Sequence, residues 1–251
     1  MKTLPENYQP STDCLKDKVI VVTGAGDGIG RVAALTYAQY GATVVLLGRT
    51  IAKLEYVYDE IEALGNHNTA IYPINFEGAV DKDYEDMAIK LEQEYGRIDG
   101  LLINAAILGP KTPISNYSVD SWQQVMQINL NSPFMMLKAL APLLEKSGNG
   151  SVITTSSSVA LQGRAFWGAY AVSKSALQNL TEILAAEWDG TIPVRINSIN
   201  PGGTRTSMRA AAYPAENPAS VPAPEDHMPL YVYLMADDSE NVSGEYFNAR
   251  Q

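Results

Sequence analysis

Basic residues are scarce in this 251-residue chain, where 18 Lys and Arg stand against 28 Asp and Glu for a formal net charge of −10. A surface that holds a phosphate backbone needs the opposite balance, so nucleic acid is not an expected partner. Cysteine and histidine are nearly absent. Cys14 alone cannot close an internal disulfide, and two histidines beside one cysteine leave too few ligands for an ordinary zinc site, so no metal is expected. No unbroken apolar run approaches the roughly 18 residues of a membrane span. The opening residues, MKTLPENYQPSTDCLKDK, also lack the apolar stretch and small-residue cleavage site of an export signal. The expectation is a cytoplasmic chain with no membrane partner. Apolar residues are not in short supply: 46% are hydrophobic and 18% charged, a globular composition that can fill a large core.

Short apolar runs rich in β-branched residues alternate along the chain with longer stretches of helical period. The runs are 19–23 (VIVVT), 43–48 (TVVLLG), 70–75 (AIYPIN), 100–105 (GLLINA), 151–156 (SVITTS), 193–200 (PVRINSIN) and a last one near EYFNA. Their apolarity is continuous rather than alternating, as in strands covered on both faces. Helices are expected from near Gly30, Ile51, Asp83, Ser118, Trp167 and Pro224, with short gaps between elements. The pattern predicts a three-layer, doubly wound Rossmann-type sandwich around a seven-stranded parallel sheet. Residues 1–251 read as a single dinucleotide-binding and catalytic domain, with 1–14 as an N-terminal extension. The Ala/Pro-dense stretch from Met208 to Pro229, within a segment of about 206–229, reads as a mobile loop or lid over substrate.

TGAGDGIG, residues 23–30, follows the first strand and opens the first helix, where a glycine-rich turn can cradle a pyrophosphate. Gly24 would allow the sharp turn, Gly28 close approach of backbone to phosphate, and Gly30 tight packing of helix on strand. Gly26, Asp27 and Ile29 complete the candidate loop. A bare strand-to-helix turn with no ligand is the competing reading.

Tyr170 and Lys174 lie four apart in a helical stretch, so they share a face. Tyr170 is the only one of fourteen tyrosines with Lys four residues on. A phenol titrates near ~10, and an ammonium beside it favours the phenolate, which would bring Tyr170 toward acid/base work at neutral pH.

Together these segments, with GATVVLLGR, SSSVALQGRAFWGAYAVSK and INPGGTRTSMRA, resemble the short-chain dehydrogenase/reductase family. The likeness is to its single-domain branch and to bacterial YciK-type oxidoreductases, and it runs from about Leu15 onward. The glycine spacing Gly-x-x-x-Gly-x-Gly is that of this branch. The resemblance implies hydride transfer between NADP(H) and a carbonyl or alcohol carbon of a small molecule, with Tyr170 as acid/base. Lys174 would tune Tyr170 and hold the nicotinamide ribose. Ser157, thirteen residues before Tyr170, would bind the substrate oxygen, with Ser156 and Ser158 as neighbours one register away. Asn129 would hold a water beside Lys174, or else only cap or kink its helix.

Gly48 stands where NAD-preferring members carry Asp, and Arg49 follows as a fork of donors suited to the 2′-phosphate of NADP. Against this, Asp27 replaces a basic residue that many NADP-using relatives carry, which leaves Arg49 and Thr50 to hold the phosphate. Asn75 stands where the family carries an acidic residue for the adenine amine and can still accept through its amide oxygen, and Asn104, Ala105 and Ala106 match the segment after the fourth strand, where Ile103 and Ala106 depart from the family's Asn and Gly. Pro201, Gly202, Gly203, Thr204 and Thr206 match the segment beside the nicotinamide, though Thr206 also reads as a helix N-cap. Ile107, Leu108, Leu161 to Trp167 and Met208 to Tyr213 would face substrate, with Arg164, Arg205 and Arg209 available to an acidic group. The family's habit implies a homodimer or homotetramer through the stretches 118–145 and 167–188. A cofactor-binding scaffold that has lost catalysis is the alternative function; the extended nucleotide-sugar branch is disfavoured by the short C-terminal region.

Overall fold

A computed structural model describes residues 1–249 of the chain. Seven parallel strands form one sheet in the order β3-β2-β1-β4-β5-β6-β7. They are β1 (Val19–Thr23), β2 (Thr43–Gly48), β3 (Thr69–Pro73), β4 (Gly100–Ile103), β5 (Gly150–Thr155), β6 (Val194–Asn200) and β7 (Tyr246–Asn248). The helices are α1 (Gly28–Gln39), α2 (Ile51–Ala63), α3 (Asp81–Tyr95), α4 (Val119–Met126), α5 (Ser132–Glu145), α6 (Ser158–Leu161), α7 (Gly168–Trp188), α8 (Ser207–Ala212) and α9 (Met228–Met235). Strand order reverses between β1 and β4, the point at which open α/β sheets leave a crevice at their C-terminal ends.

Each face of the sheet carries its own apolar layer. Ile20, Val22, Leu46 and Leu102 face α1, α2 and α9, while Val21, Val45, Leu101 and Val152 face α3, α5 and the end of α7. The double coverage explains the continuous apolar runs in the sequence. At the sheet's outer edge β7 is only three residues long. Lys2 pairs beside it, donating to the Tyr246 carbonyl at 2.8 Å and accepting from Asn248 at 2.9 Å. The N-terminal extension thereby covers an exposed strand edge.

Three expectations are corrected. The fourth strand stops at Ile103, not at 105, because the Thr23 hydroxyl takes the N–H groups of Asn104 and Ala105 at 2.9 and 3.0 Å and turns the chain out of the ladder. The third strand spans 69–73, not 70–75: its partner β2 ends at Gly48, whose carbonyl takes the Ile74 N–H at 2.9 Å, and the chain then turns as the Gly78 and Ala79 N–H groups return to the Asn75 carbonyl. The stretch 208–229 is not a plain loop: Ala-rich 207–212 is helical, short 3₁₀ turns occupy 218–220 and 224–227, and α9 starts at Met228. Alanine is the best helix former, and Thr206 caps the turn, accepting the Arg209 N–H at 3.1 Å.

Candidate active site

A cleft of about 800 Å³ lies across the C-terminal ends of the strands, from the glycine loop and Arg49 at one end to Trp167 and Tyr213 at the other. At the first end β1 runs into α1 through a turn that only glycines permit. Gly24 has φ +68°, and a Cβ on Gly30 would stand 2.3 Å from the Gly24 carbonyl oxygen. Gly30 therefore serves packing and does not line the cleft, whereas Gly24, Gly26, Asp27, Gly28 and Ile29 do. The side chain of Asp27, the residue before α1, makes no cap hydrogen bond to the helix, and no acidic residue sits in the first turn. An exposed helix N-terminus on a glycine turn fits an anionic diphosphate.

Beyond the loop, Arg49, Thr50 and Asn75 line the same wall, followed by Asn104, Ala105 and Ala106 after β4. The Asn104 side chain is spent on protein: it donates to the Thr23 carbonyl at 3.4 Å and accepts from the Thr155 hydroxyl at 3.2 Å. It clamps β1, β4 and β5 where the strands end. Pro201, Gly202, Gly203, Thr204 and Thr206 form the opposite wall. The Thr204 hydroxyl turns to His227 Nε2 at 2.9 Å and that of Thr206 caps α8. Thr206 lines the cleft while its hydroxyl also donates to the Thr204 carbonyl at 3.3 Å.

At the inner end Tyr170 and Lys174 share one face of α7, both buried, with 8% and 2% of their surface exposed. Lys174 Nζ donates to the Thr155 carbonyl at 2.6 Å and lies 5.9 Å from the Tyr170 ring centroid. Burial pushes the Tyr170 phenol up to about 12, opposed by a hydrogen bond with Ser157, and pushes the Lys174 ammonium down to about 8. In the free protein burial, not Lys174, sets the direction of the Tyr170 shift. Burial penalises both charged forms, and the other cause acting on Tyr170 is its hydrogen bond with Ser157, not the charge of Lys174.

The three serines after β5 separate by position. All three line the cleft, but Ser156 is buried and Ser158 is exposed at the start of α6, while Ser157 is the one that meets the Tyr170 hydroxyl. Tyr246, on β7, donates its hydroxyl to the Ser157 carbonyl at 3.1 Å and so fixes the backbone that presents it. No local pattern in the sequence marks that contact, which spans 89 positions. Asn129 is fully buried and lies behind the cleft, in a π-helical turn (Gln127–Asn131) between α4 and α5. Its amide accepts from the Ile107 N–H at 2.9 Å and donates to the Ile107 carbonyl at 2.9 Å and the Ser173 hydroxyl at 3.1 Å. These bonds brace the loop after β4 against α7.

The substrate end is lined by Ile107, Leu108, Trp167, Met208 and Tyr213, with Val159 as an addition to the expected set. Leu161 and Phe166, expected to face substrate, are instead 53% and 54% exposed outside the cleft. Arg209 is occupied by Glu216, at 2.7 and 2.6 Å, and stacks 3.8 Å from the Tyr213 ring. Arg205 does not reach the cleft, which leaves Arg164.

A family model described as short chain dehydrogenase matches residues 18–217. The oxidoreductase YciK of Escherichia coli is 47% identical over 244 residues, covering 97% of this chain and 96% of that protein. A short chain dehydrogenase from Shigella flexneri, solved in complex with NADP, is 47% identical with a TM-score of 0.94, over 96% of this chain and 100% of that one. One from Escherichia coli CFT073, solved with NADPH, gives the same identity, TM-score and coverage.

Proposed function

The chain belongs to the short-chain dehydrogenase family, and from that premise we propose that it is an NADP(H)-dependent oxidoreductase acting on a carbonyl or alcohol carbon of a small molecule. The observation that carries the reading is one cleft that joins a glycine turn suited to an anion, and Arg49, which has no salt bridge among the described residues, to half-buried Ser157 and buried Tyr170 and Lys174. Relatives of 47% identity were solved with NADP and NADPH, and this chain keeps a glycine turn and Arg49 suited to that ligand. The cofactor, when bound, supplies or accepts the hydride.

Everything else is the work of side chains. Ser157 and Tyr170 present two hydroxyls to one substrate oxygen, which orients the carbonyl and stabilises charge as it develops there. With its proton held up to about 12, Tyr170 is the neutral phenol at physiological pH and donates Oη–H to that oxygen in the reductive direction. Lys174, fixed by the Thr155 carbonyl, carries its positive charge against the ring and offers its remaining donors to the nicotinamide ribose. Asn129 acts from behind, by holding Ile107 and Ser173 in place, and the proton relay through it belongs to this reading. The apolar wall of Leu108, Val159, Trp167 and Met208 excludes water and suits an apolar substrate body.

Tyr170→Phe tests the proposal. The ring and its packing remain, so NADPH affinity is expected to stay within about twofold while turnover of any reducible carbonyl falls at least about a hundredfold. Near-native turnover by this variant sinks the acid/base assignment. Unaltered binding with no turnover by the wild-type protein on a broad carbonyl and alcohol panel favours the scaffold alternative, against which the intact Ser157, Tyr170 and Lys174 stand.

A further inference from the structure

Asp27 is the residue of the cleft that fits a phosphorylated cofactor least well, because it puts a carboxylate in the glycine turn. The structure shows what answers it. Lys53, on the first turn of α2, places Nζ 2.8 Å from Asp27 Oδ2, and the same oxygen accepts the Ser207 hydroxyl of α8 at 3.2 Å. One carboxylate oxygen therefore ties α1, α2 and α8 together around the groove.

The stem of Lys53 is held in place by close packing. A Cβ on Gly26 would lie 2.9 Å from Lys53 Cβ, and Leu54, the next residue, would lie 3.2 Å from a Cβ on Gly48. The first turn of α2 thus spans from the end of β2, where Arg49 projects, to the glycine turn. Arg49, Thr50 and Lys53 all line the cleft on this wall, and the Thr50 side chain makes no cap hydrogen bond to α2. The cations lining the whole cleft are Arg49, Lys53, Arg164, Lys174 and Arg209, against the acids Asp27 and Glu77. In a chain of net charge −10 that excess is local. Of these cations, Arg209 is matched by Glu216, Lys174 is turned to the Thr155 carbonyl and Arg164 belongs to the substrate end, which leaves Arg49 and Lys53 at the end beside β2.

We propose that Lys53 is the second cation of the 2′-phosphate subsite, held ready by Asp27 and transferred to the phosphate when NADP(H) binds. The inference rests on the NADP reading above and adds a residue that sequence position alone does not mark. In the free protein the pair is mutually neutral, and both side chains are about half exposed, so the salt bridge itself is weak and easily exchanged. A phosphate carrying close to two negative charges outcompetes one carboxylate for the ammonium. Asp27 keeps Ser207, so the join between the glycine turn and α8 survives the exchange. The missing basic residue of the glycine turn is supplied in space by the neighbouring helix. The Asp27 carboxyl is held below its usual range, first of all by its hydrogen bond from Lys53, in agreement with that pairing.

The test is equilibrium binding of NADPH, NADH and 2′,5′-ADP, with no dependence on turnover. Lys53→Ala is expected to weaken NADPH and 2′,5′-ADP about tenfold and NADH less than about twofold, the loss of one charge-assisted contact. Lys53→Arg should restore most of the affinity. Lys53→Ala also uncovers Asp27, so the double variant Lys53→Ala/Asp27→Asn separates contact from masking. Retention of a several-fold NADPH deficit in the double variant supports direct contact; return to wild-type affinity overturns it and leaves Lys53 as a shield for Asp27. Equal losses for NADPH and NADH, or none, also overturn it. If the wild-type protein itself binds NADPH and NADH alike, the NADP reading fails; if it prefers NADPH and Lys53→Ala keeps that preference, only this inference fails.

Discussion

At the scale of single residues the site is governed by burial. Tyr170 holds its proton up to about 12 and Lys174 loses its own at about 8, in each case because the charged form has little water. The signs give a pH dependence. Below about 8 the ammonium is charged and Tyr170 is neutral, the state suited to reduction; as pH rises through about 8 Lys174 loses its charge while Tyr170 stays protonated. Reductive kcat/KM should therefore be level on the neutral side and fall about tenfold per unit above the break. Lys174→Arg keeps the charge throughout and should abolish the break even if it lowers the plateau. A wild-type profile flat through pH 9 (about one unit above the break) would sink the assignment. Arg49 makes a second test. It is exposed, no carboxylate forms a salt bridge with it among the described residues, and it follows β2 directly. Arg49→Ala should raise the Kd for NADPH by roughly ten- to a hundredfold and that for NADH little. Equal losses in a two-cofactor titration would remove it from phosphate recognition.

At the scale of elements, what could be read in the sequence is what depends on local pattern. VIVVT and TVVLLG coincide with β1 and β2 residue for residue, because a strand covered on both faces leaves an unbroken apolar run. The Tyr170–Lys174 spacing survives because four residues make one turn of α7. What was not legible depends on partners distant in the chain: the Thr23 hydroxyl that ends β4, the Tyr246 contact to Ser157, and the π-helical turn that places Asn129. The turn has a use. It swings Asn129 onto Ile107 and Ser173, so Asn129→Ala should lose about 2 kcal/mol by stranding buried partners, measurable by urea unfolding, and should speed amide exchange at 105–108. Unchanged stability would show that the brace is idle. The segment of about 206–229 calls for a similar revision in its part up to 222. Composition suggested a loose lid, yet Lys111 donates to the Ala212 carbonyl at 2.9 Å and sits 4.3 Å from the Tyr213 ring, while Arg205 N–H reaches the Pro222 carbonyl at 2.8 Å. We expect it to open as one unit and not to fray. Exchange should be faster across it than in β1, β4 and β5, slowed by NADPH, and raised at 209–216 by Lys111→Ala. Protection equal to the central strands without ligand would end the lid proposal.

At the scale of the whole molecule, charge and apolar surface pull in opposite directions. Each chain carries −10, so two copies repel, and the repulsion is long-ranged only at low salt. Association must then come from apolar area. The helices expected to pair do expose some: Val119 on α4 at 68%, Phe134 on α5 at 52%, and Val172 and Ile183 on α7 at 44% and 46%. On one chain such residues cost free energy by ordering water, and a symmetric pairing of α4, α5 and α7 with a second copy would bury them. We propose a homodimer or homotetramer built on these helices, and the charge argument sets how it should respond. Raising salt screens the repulsion and strengthens the apolar contact, so sedimentation should show tighter association at high ionic strength. An interface built on ion pairs would weaken instead. Phe134→Glu and Val172→Glu each add a negative charge to both sides of a contact that already joins two acidic chains. Each should shift the population toward monomer with unchanged circular dichroism, and added salt should rescue them only partly, because the buried carboxylate still lacks a partner. A wild-type chain that sediments as a monomer at every salt concentration, or a glutamate variant as associated as the native protein, would place the exposed apolar residues outside any interface.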